Sequence, residues 1–262
     1  MPKLSIITIN YNNKTGLEKT IYSVINQTSK DFEYIIIDGG STDGSKELIE
    51  QYSDKLTYWV CESDSGIYHA MNKGNKIAQG EYLLFLNSGD WLYSNTTVVD
   101  FINQNTNEDI VYGNSMFINN NGKESLQEFP NKLTFYYFFT DTLNHQSIFM
   151  KKRCLDKLGG FDESFKILAD WKSYTTAICL YNMTYKKIPI IICYYNTDGI
   201  SFQEKNQQLF HQERQRVYRE DFKSFHEDYK YIDQLRKLSY SRIIKFLKKL
   251  GFFPFFDFKT PR

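Results

Sequence analysis

An α/β architecture, a doubly wound and mostly parallel sheet with helices on both faces, follows from three features of this 262-residue chain. Short runs such as LSIITI and YIII are almost continuously apolar, as strands buried on both faces of a parallel sheet are. The segments between them carry apolar residues at helical spacing. The two kinds alternate through the first half of the chain, which is the order that βαβ units produce.

Leu4 to Ile9 reads as the first strand, and Leu17, Ile21, Val24 and Ile25 mark the helix after it. Tyr34 to Ile37 follows, with Leu48, Ile49 and Tyr52 on the next helix. Leu56 to Cys61 leads into Ile67, Ala70, Met71 and Ile77, and then come the strands Tyr82 to Leu86 and Ile110 to Tyr112. From Ser115 the pattern changes. Asn119-Asn120-Asn121-Gly122 is a hairpin signal, LTFYYFF reads as aromatic core, HQSIFM is strand-like, and Ala169 to Tyr181 has helical spacing. In Met183 to Tyr195, Pro189 marks a break or an edge, and Gln203 to Tyr231 is a highly charged helical stretch.

Hydrophobic residues make up 41% of the chain, enough for a full core, and the formal net charge of +1 gives no global field to attract nucleic acid. Cys61, Cys154, Cys179 and Cys193 are far apart with no CxxC pair, so neither a zinc site nor a disulfide framework is expected, and a reduced cytosolic setting fits. No run approaches the ~20 apolar residues of a membrane span, and the start lacks a signal-peptide pattern.

Open parallel sheets bind ligands beyond the carboxyl ends of their strands. Those ends read Asn10-Tyr11-Asn12-Asn13, Asp38-Gly39-Gly40-Ser41-Thr42-Asp43-Gly44, Glu62-Ser63-Asp64-Ser65-Gly66 and Asn87-Ser88-Gly89-Asp90. The glycine-rich loop is not a Walker A loop, because Ser45 stands where the lysine belongs, and Ser41 or Asp43 reads instead as a helix N-cap. In YLLFLNSGDW a buried strand delivers one carboxylate, Asp90, on a Ser88-Gly89 hinge. One acid suffices to hold Mg²⁺ or Mn²⁺ when substrate phosphates supply other oxygens, so Asp90 implies a diphosphate ligand.

The ordered motifs SIITINYNN, IIIDGGSTDGS, ESDSGIYHAMNKG, GEYLLFLNSGD and a later ADW resemble the family 2 glycosyltransferases of GT-A fold, over roughly residues 3 to 201. The resemblance implies an inverting, metal-dependent transfer from a nucleotide-diphosphate sugar to a hydroxyl of a glycan or lipid-linked acceptor, as in surface polysaccharide or cell-envelope assembly. It places Tyr11 against the nucleobase and Asp38 at the first acid of the usual Asp-Asp pair, whose second acid is Gly39 here. Asp90 matches the metal-binding acid of the DxD-type motif, with Asn87 in place of its first acid. Glu62, Asp64 and Lys73 match the donor-sugar and diphosphate wall, and His69 stands where relatives usually have Asp. Asp170 becomes the general base that takes the acceptor proton. For His145, beside Gln146, a structural role and a contact to donor or acceptor are both open.

The chain then divides into a nucleotide-sugar-binding lobe (1–114), an acceptor and catalytic-base lobe of the same domain (115–202) and a C-terminal extension (203–262). Ile243, Leu247 and Leu250 share a helix face in a tail rich in Lys, Arg and Phe. Peripheral contact of residues 239–258 with the inner face of the membrane is one reading, and packing on the domain or on a second subunit of a homodimer is the other. A nucleotidyltransferase and a non-catalytic glycan-binding protein are the rival functions. The former would carry a basic glycine-rich loop where Tyr11-Asn12-Asn13 stand.

Overall fold

The computed structural model describes residues 1–119, 121–197, 199 and 204–239. Its first half alternates as expected: β1 (Leu4–Asn10), α1 (Lys14–Ile25), β2 (Phe32–Asp38), α2 (Ser45–Gln51), β3 (Tyr58–Cys61), α3 (Ile67–Ile77) and β4 (Tyr82–Phe85). β3 begins two residues later than its apolar run, after a 3-10 turn at Ser53–Lys55. The second half contains β5 (Trp91–Leu92), α4 (Thr97–Asn103), β6 (Ile110–Ile118), β7 (Glu124–Gln127), α5 (Phe135–Thr140), β8 (Ile148–Lys151), α6 (Lys152–Lys157), α7 (Ala169–Cys179) and β9 (Tyr185–Asn196). Two helices, α8 (Gln207–Glu220) and α9 (Lys223–Ser239), follow.

Among the described residues nine strands form one mixed sheet, ordered β3-β2-β1-β4-β8-β6-β9-β5 with β7 paired to β6. The block β3-β2-β1-β4 is parallel. β8 lies antiparallel between β4 and β6, so β6 and its parallel neighbour β9 point the same way as the first block. β1 has β2 on one side and β4 on the other, which opens a crevice at their carboxyl ends.

Alternation along the central strands sends Ile7, Ile9, Ile35, Ile37, Leu83 and Phe85 into one core, shared with α3 and α7. Leu4, Ile6, Tyr34, Ile36, Tyr82 and Leu84 enter the other, under α1 and α2. Helices therefore cover both faces. The LTFYYFF aromatics belong to the first core: Phe138 is fully buried, and Phe135 and Phe139 pack against Tyr218 of α8 and Tyr229 of α9.

One local expectation changes and two hold. The strand predicted from His145 starts only at Ile148, because His145–Ser147 form a 3-10 turn. Pro189 does mark a break. It lies in β9 where the register against β6 jumps from Tyr112↔Lys187 to Asn114↔Ile191, a bulge that tolerates a residue without an N–H. The Asn119–Gly122 signal does make a turn, with Gly122 N–H donating to Asn119 O at 2.8 Å, and it joins β6 to β7. The tail expectation, residues 239–258, lies outside the described residues from 240 onward. Among the described residues no helix is long and apolar enough to cross a membrane.

Gly80, just before β4, is packed against the backbone of β1. Its N–H donates to Ser5 Oγ at 2.8 Å and to the buried carboxylate of Glu33 at 2.9 Å. A Cβ there would stand 2.5 Å from Ser5 N and 2.7 Å from Leu4 C. Gly80→Ala is expected to cost about 2–3 kcal/mol by overpacking, read as a lower urea midpoint with an unchanged m-value.

Candidate active site

The direction of β8 brings two parts of the chain together. Because it runs antiparallel to β4, its start lies beside the end of β4, and the 3-10 turn before it reaches the loop that carries Asp90. Asp90 is 5% exposed. Its Oδ2 accepts from Gln146 Nε2 at 2.7 Å, and its Oδ1 accepts from the Asn196 N–H, at the end of β9, at 2.9 Å. Burial pushes the carboxyl up to about 6, against the opposing pull of the Asn196 N–H, the Gln146 amide and the charge of His145.

The Ser88-Gly89 step is not a hinge. Thr20 of α1 donates its hydroxyl to Asp90 O at 2.7 Å and accepts from Gly89 N–H at 3.0 Å. Asn13 Nδ2 donates to Ser88 O at 3.0 Å, and Gly89 sits at φ 101°, where a side chain would be strained. Three hydrogen bonds, made by Thr20 of α1 and its cap Asn13, thus fix the turn that carries the acid.

Asp170 is the second residue of α7. Its Oδ2 lies 2.7 Å from His145 Nδ1, and its Oδ1 accepts from Tyr68 OH at 3.0 Å and from Trp171 N–H at 2.8 Å. With Asp170 ionised, His145 Nδ1 carries the proton and donates. Adjacent residues of one turn therefore hold the two acids, His145 meeting Asp170 and Gln146 meeting Asp90. His145 Nε2, Gln146 Oε1 and Asn87 Oδ1 are buried and have no hydrogen-bond partner among the described residues.

The acid at the end of β2 is a different case. Asp38 is fully buried, and its oxygens accept from Gly40 N–H, Ser41 N–H and the Cys61 thiol on one side and from Asn10 Nδ2 and Ser41 Oγ on the other. Burial alone would raise its pKa, but the Cys61, Ser41 and Asn10 donors together hold it below the usual range. Five internal donors hold its two oxygens, so Asp38 shapes the Gly39–Ser41 turn. The N-cap of α2 is Gly44, at φ 88° and without a side-chain cap bond, not Ser41 or Asp43; Asp43, one residue earlier, accepts from Ser45 N–H at 3.1 Å and from Lys14 N–H at the start of α1.

Tyr11 is 68% exposed at the end of β1, so its ring face is available to a ligand. A Cβ on Gly39 would stand 2.7 Å from Asp64 Oδ2 and 3.3 Å from the Tyr11 ring. The carboxylate of Asp64 thus fills the space where an acid at position 39 would begin, and it also accepts from Gly66 N–H at 2.8 Å. Glu62 and Lys73 pair with each other at 2.8 Å, and the ammonium lowers the carboxyl of Glu62. His69 Nδ1 accepts from Ser65 N–H at 3.1 Å, so its ring closes the start of α3.

Tyr68 is the site residue that sequence reasoning missed, and the part Gln146 plays was left open. The polar pair His145-Gln146 ahead of a strand was the visible signal, but its partners were not.

A divalent cation suits this oxygen set. Each oxygen of Asp90 keeps a lone pair beyond its internal bond, and the orphaned amide oxygens of Gln146 and Asn87 belong to residues that touch or precede it. Among the described residues no cluster of three or more His, Cys, Asp or Glu side chains could hold a metal. The remaining ligands would have to be oxygens from elsewhere.

Known proteins resemble this chain in sequence and in fold. The sequence model described as Glycosyl transferase family 2 matches residues 5–157. A PGL/p-HBAD biosynthesis glycosyltransferase of Mycobacterium bovis is 28% identical over 204 residues, covering 76% of this chain and 78% of the relative. The putative teichuronic acid biosynthesis glycosyltransferase TuaG of Bacillus subtilis is 38% identical over 92 residues, 34% of this chain and 36% of that one. Among solved structures, S. aureus TarS 1-349 in complex with UDP-GlcNAc superposes with a TM-score of 0.62 at 20% identity. The match covers 74% of this chain and 58% of that one, so this chain spans less than two thirds of that protein's length. Mannosyltransferase PcManGT from Pyrobaculum calidifontis, in complex with GDP-Man and Mn²⁺, gives 0.57 at 16% identity over 74% of this chain and 56% of that one. At such identities these two likenesses speak for the fold.

Proposed function

The chain belongs to glycosyl transferase family 2 and is a glycosyltransferase, and on that premise we propose that it moves a sugar from a nucleotide-diphosphate donor to an acceptor hydroxyl with inversion. The observation that carries this reading is the pair of acids held by neighbouring residues, Asp170 through His145 and Asp90 through Gln146. One acid serves each side of the reacting sugar. Asp170 takes the proton of the acceptor hydroxyl while the oxygen attacks the anomeric carbon and the bond to the diphosphate breaks. His145 and Tyr68 orient its carboxylate, and the side chain is only 15% exposed.

Asp90, with Gln146 and Asn87 beside it, would hold a Mg²⁺ or Mn²⁺. Bound there, such an ion supplies Lewis-acid stabilisation of the departing diphosphate. The nucleobase stacks on Tyr11, and Asp64 provides the acceptor oxygen that position 39 lacks. Glu62 and Lys73 form a charged pair at the rim of the donor side. The names of the relatives support a glycan or lipid-linked acceptor in cell-envelope or surface-polysaccharide assembly, reached from the cytosolic side of the membrane.

A thermal-shift screen of UDP- and GDP-sugars tests the donor half. At least one is expected to raise the melting temperature by several degrees only with Mn²⁺ or Mg²⁺ present, because a ligand that binds the native state alone stabilises it by mass action. No metal-dependent shift with any nucleotide sugar would remove the donor assignment.

A further inference from the structure

α8 lies beyond the stretch that the family model matches, and it carries a buried acid that the mechanism above does not use. Glu213 is 6% exposed and points its carboxylate at three consecutive backbone N–H groups. Lys166 N–H donates to Oε1 at 2.6 Å, and Ile167 and Leu168 N–H donate to Oε2 at 3.0 Å each. These residues end just before α7, whose second residue is Asp170. From the opposite side, Tyr68 OH reaches Ile167 O at 2.5 Å and Asp170 Oδ1 at 3.0 Å. The approach to Asp170 is therefore held through its N–H groups by the Glu213 carboxylate of α8 and through the Ile167 carbonyl by the Tyr68 hydroxyl of α3.

We propose that Glu213 is a positioning residue for Asp170, which makes the C-terminal helix α8 part of the catalytic apparatus. The proposal rests on the reading of Asp170 as the base. A carboxylate can accept all three bonds at once, whereas an amide offers one oxygen and turns its NH₂ toward at least one N–H of the loop. The loop must then move, and Asp170 moves with it. A misplacement of about 1 Å costs on the order of 100-fold in rate. Arg214, the next residue, ties α8 to the same region, donating to Phe138 O at 2.6 Å, the carbonyl that also accepts from Trp171 Nε1.

The test is a double-mutant cycle on the full chain. It measures release of UDP from UDP-GlcNAc or of GDP from GDP-mannose, whichever donor gives the larger shift with Mn²⁺. Glu213→Gln is expected to lower kcat roughly 10- to 100-fold with the KM for donor unchanged, since Tyr11, Asp64 and Asp90 stand on other elements. In an Asp170→Asn background the same change should add less than about twofold, because the two residues act as one unit. Glu213→Asp keeps the charge one methylene short, should lose less, and carries the same cycle if the Gln variant does not stay folded. Independent, multiplicative losses, or a donor KM that rises in step with the fall in kcat, would overturn the proposal. Wild-type turnover in Asp170→Asn alone would bring down the base assignment first, and this inference with it.

Discussion

Asp90→Asn should raise the melting temperature of the ligand-free protein near pH 7.5 while cutting sugar transfer about a thousandfold. Burial lifts this carboxyl from 3.8 to about 6. Between those values the native state keeps a proton that the unfolded chain has released, so the contribution of Asp90 to stability is complete below about pH 4 and is lost as pH rises through about 6. Two units correspond to about 3 kcal/mol at most. An amide avoids that loss. It can still accept from Asn196 N–H, and its NH₂ can donate to Gln146 Oε1, now without a partner, once that amide turns over. Urea denaturation of both proteins at pH 5 and pH 7.5 is the check: the variant's advantage should be present at 7.5 and shrink at 5. The loss of transfer follows from removing the carboxylate charge at the proposed metal position, several kcal/mol of transition-state stabilisation. A variant that is no more stable at pH 7.5 and turns over like wild type would show that Asp90 is an ordinary turn acid.

Asp170→Asn tests the acceptor side. The general base contributes about 10²- to 10⁴-fold, so kcat should fall by that amount while donor affinity, read as the metal-dependent thermal shift, stays the same. The geometry allows the variant to fold. The retained oxygen still accepts from Tyr68 OH and Trp171 N–H, and the His145 ring can exchange its tautomer so that Nδ1 accepts from the new NH₂. Loss of donor binding together with rate would mean that this acid shapes the donor pocket, and the base would have to be sought elsewhere.

Much of the fold could be read from local pattern. A strand such as Leu4–Asn10, buried on both faces, has to be apolar along its whole length, and the helices between such strands have to keep one apolar face. The acids at the strand tips were visible for the same reason, since a carboxylate directly after a buried run stands out. The roles of those acids were less visible. Asp38 and Asp90 end two comparable strands, yet the first is saturated by Asn10, Ser41 and Cys61, while the second keeps open lone pairs and a raised pKa. Nothing in DGG or SGD distinguishes those outcomes.

The chain's sequence by itself determined the alternating elements, the apolar strands and the positions of Asp90 and Asp170, because these depend on the period of burial within a few residues. Only the tertiary structure decided which groups face the acids: Gln146 meets Asp90 across 56 residues, Thr20 pins its turn across 70, and His145 meets Asp170 across 25. Those contacts arise because β8 is inserted antiparallel beside β4 and α1 packs beneath the turn. A hydrogen bond depends on ångström distances that strand order sets, and spacing along the chain carries no record of them.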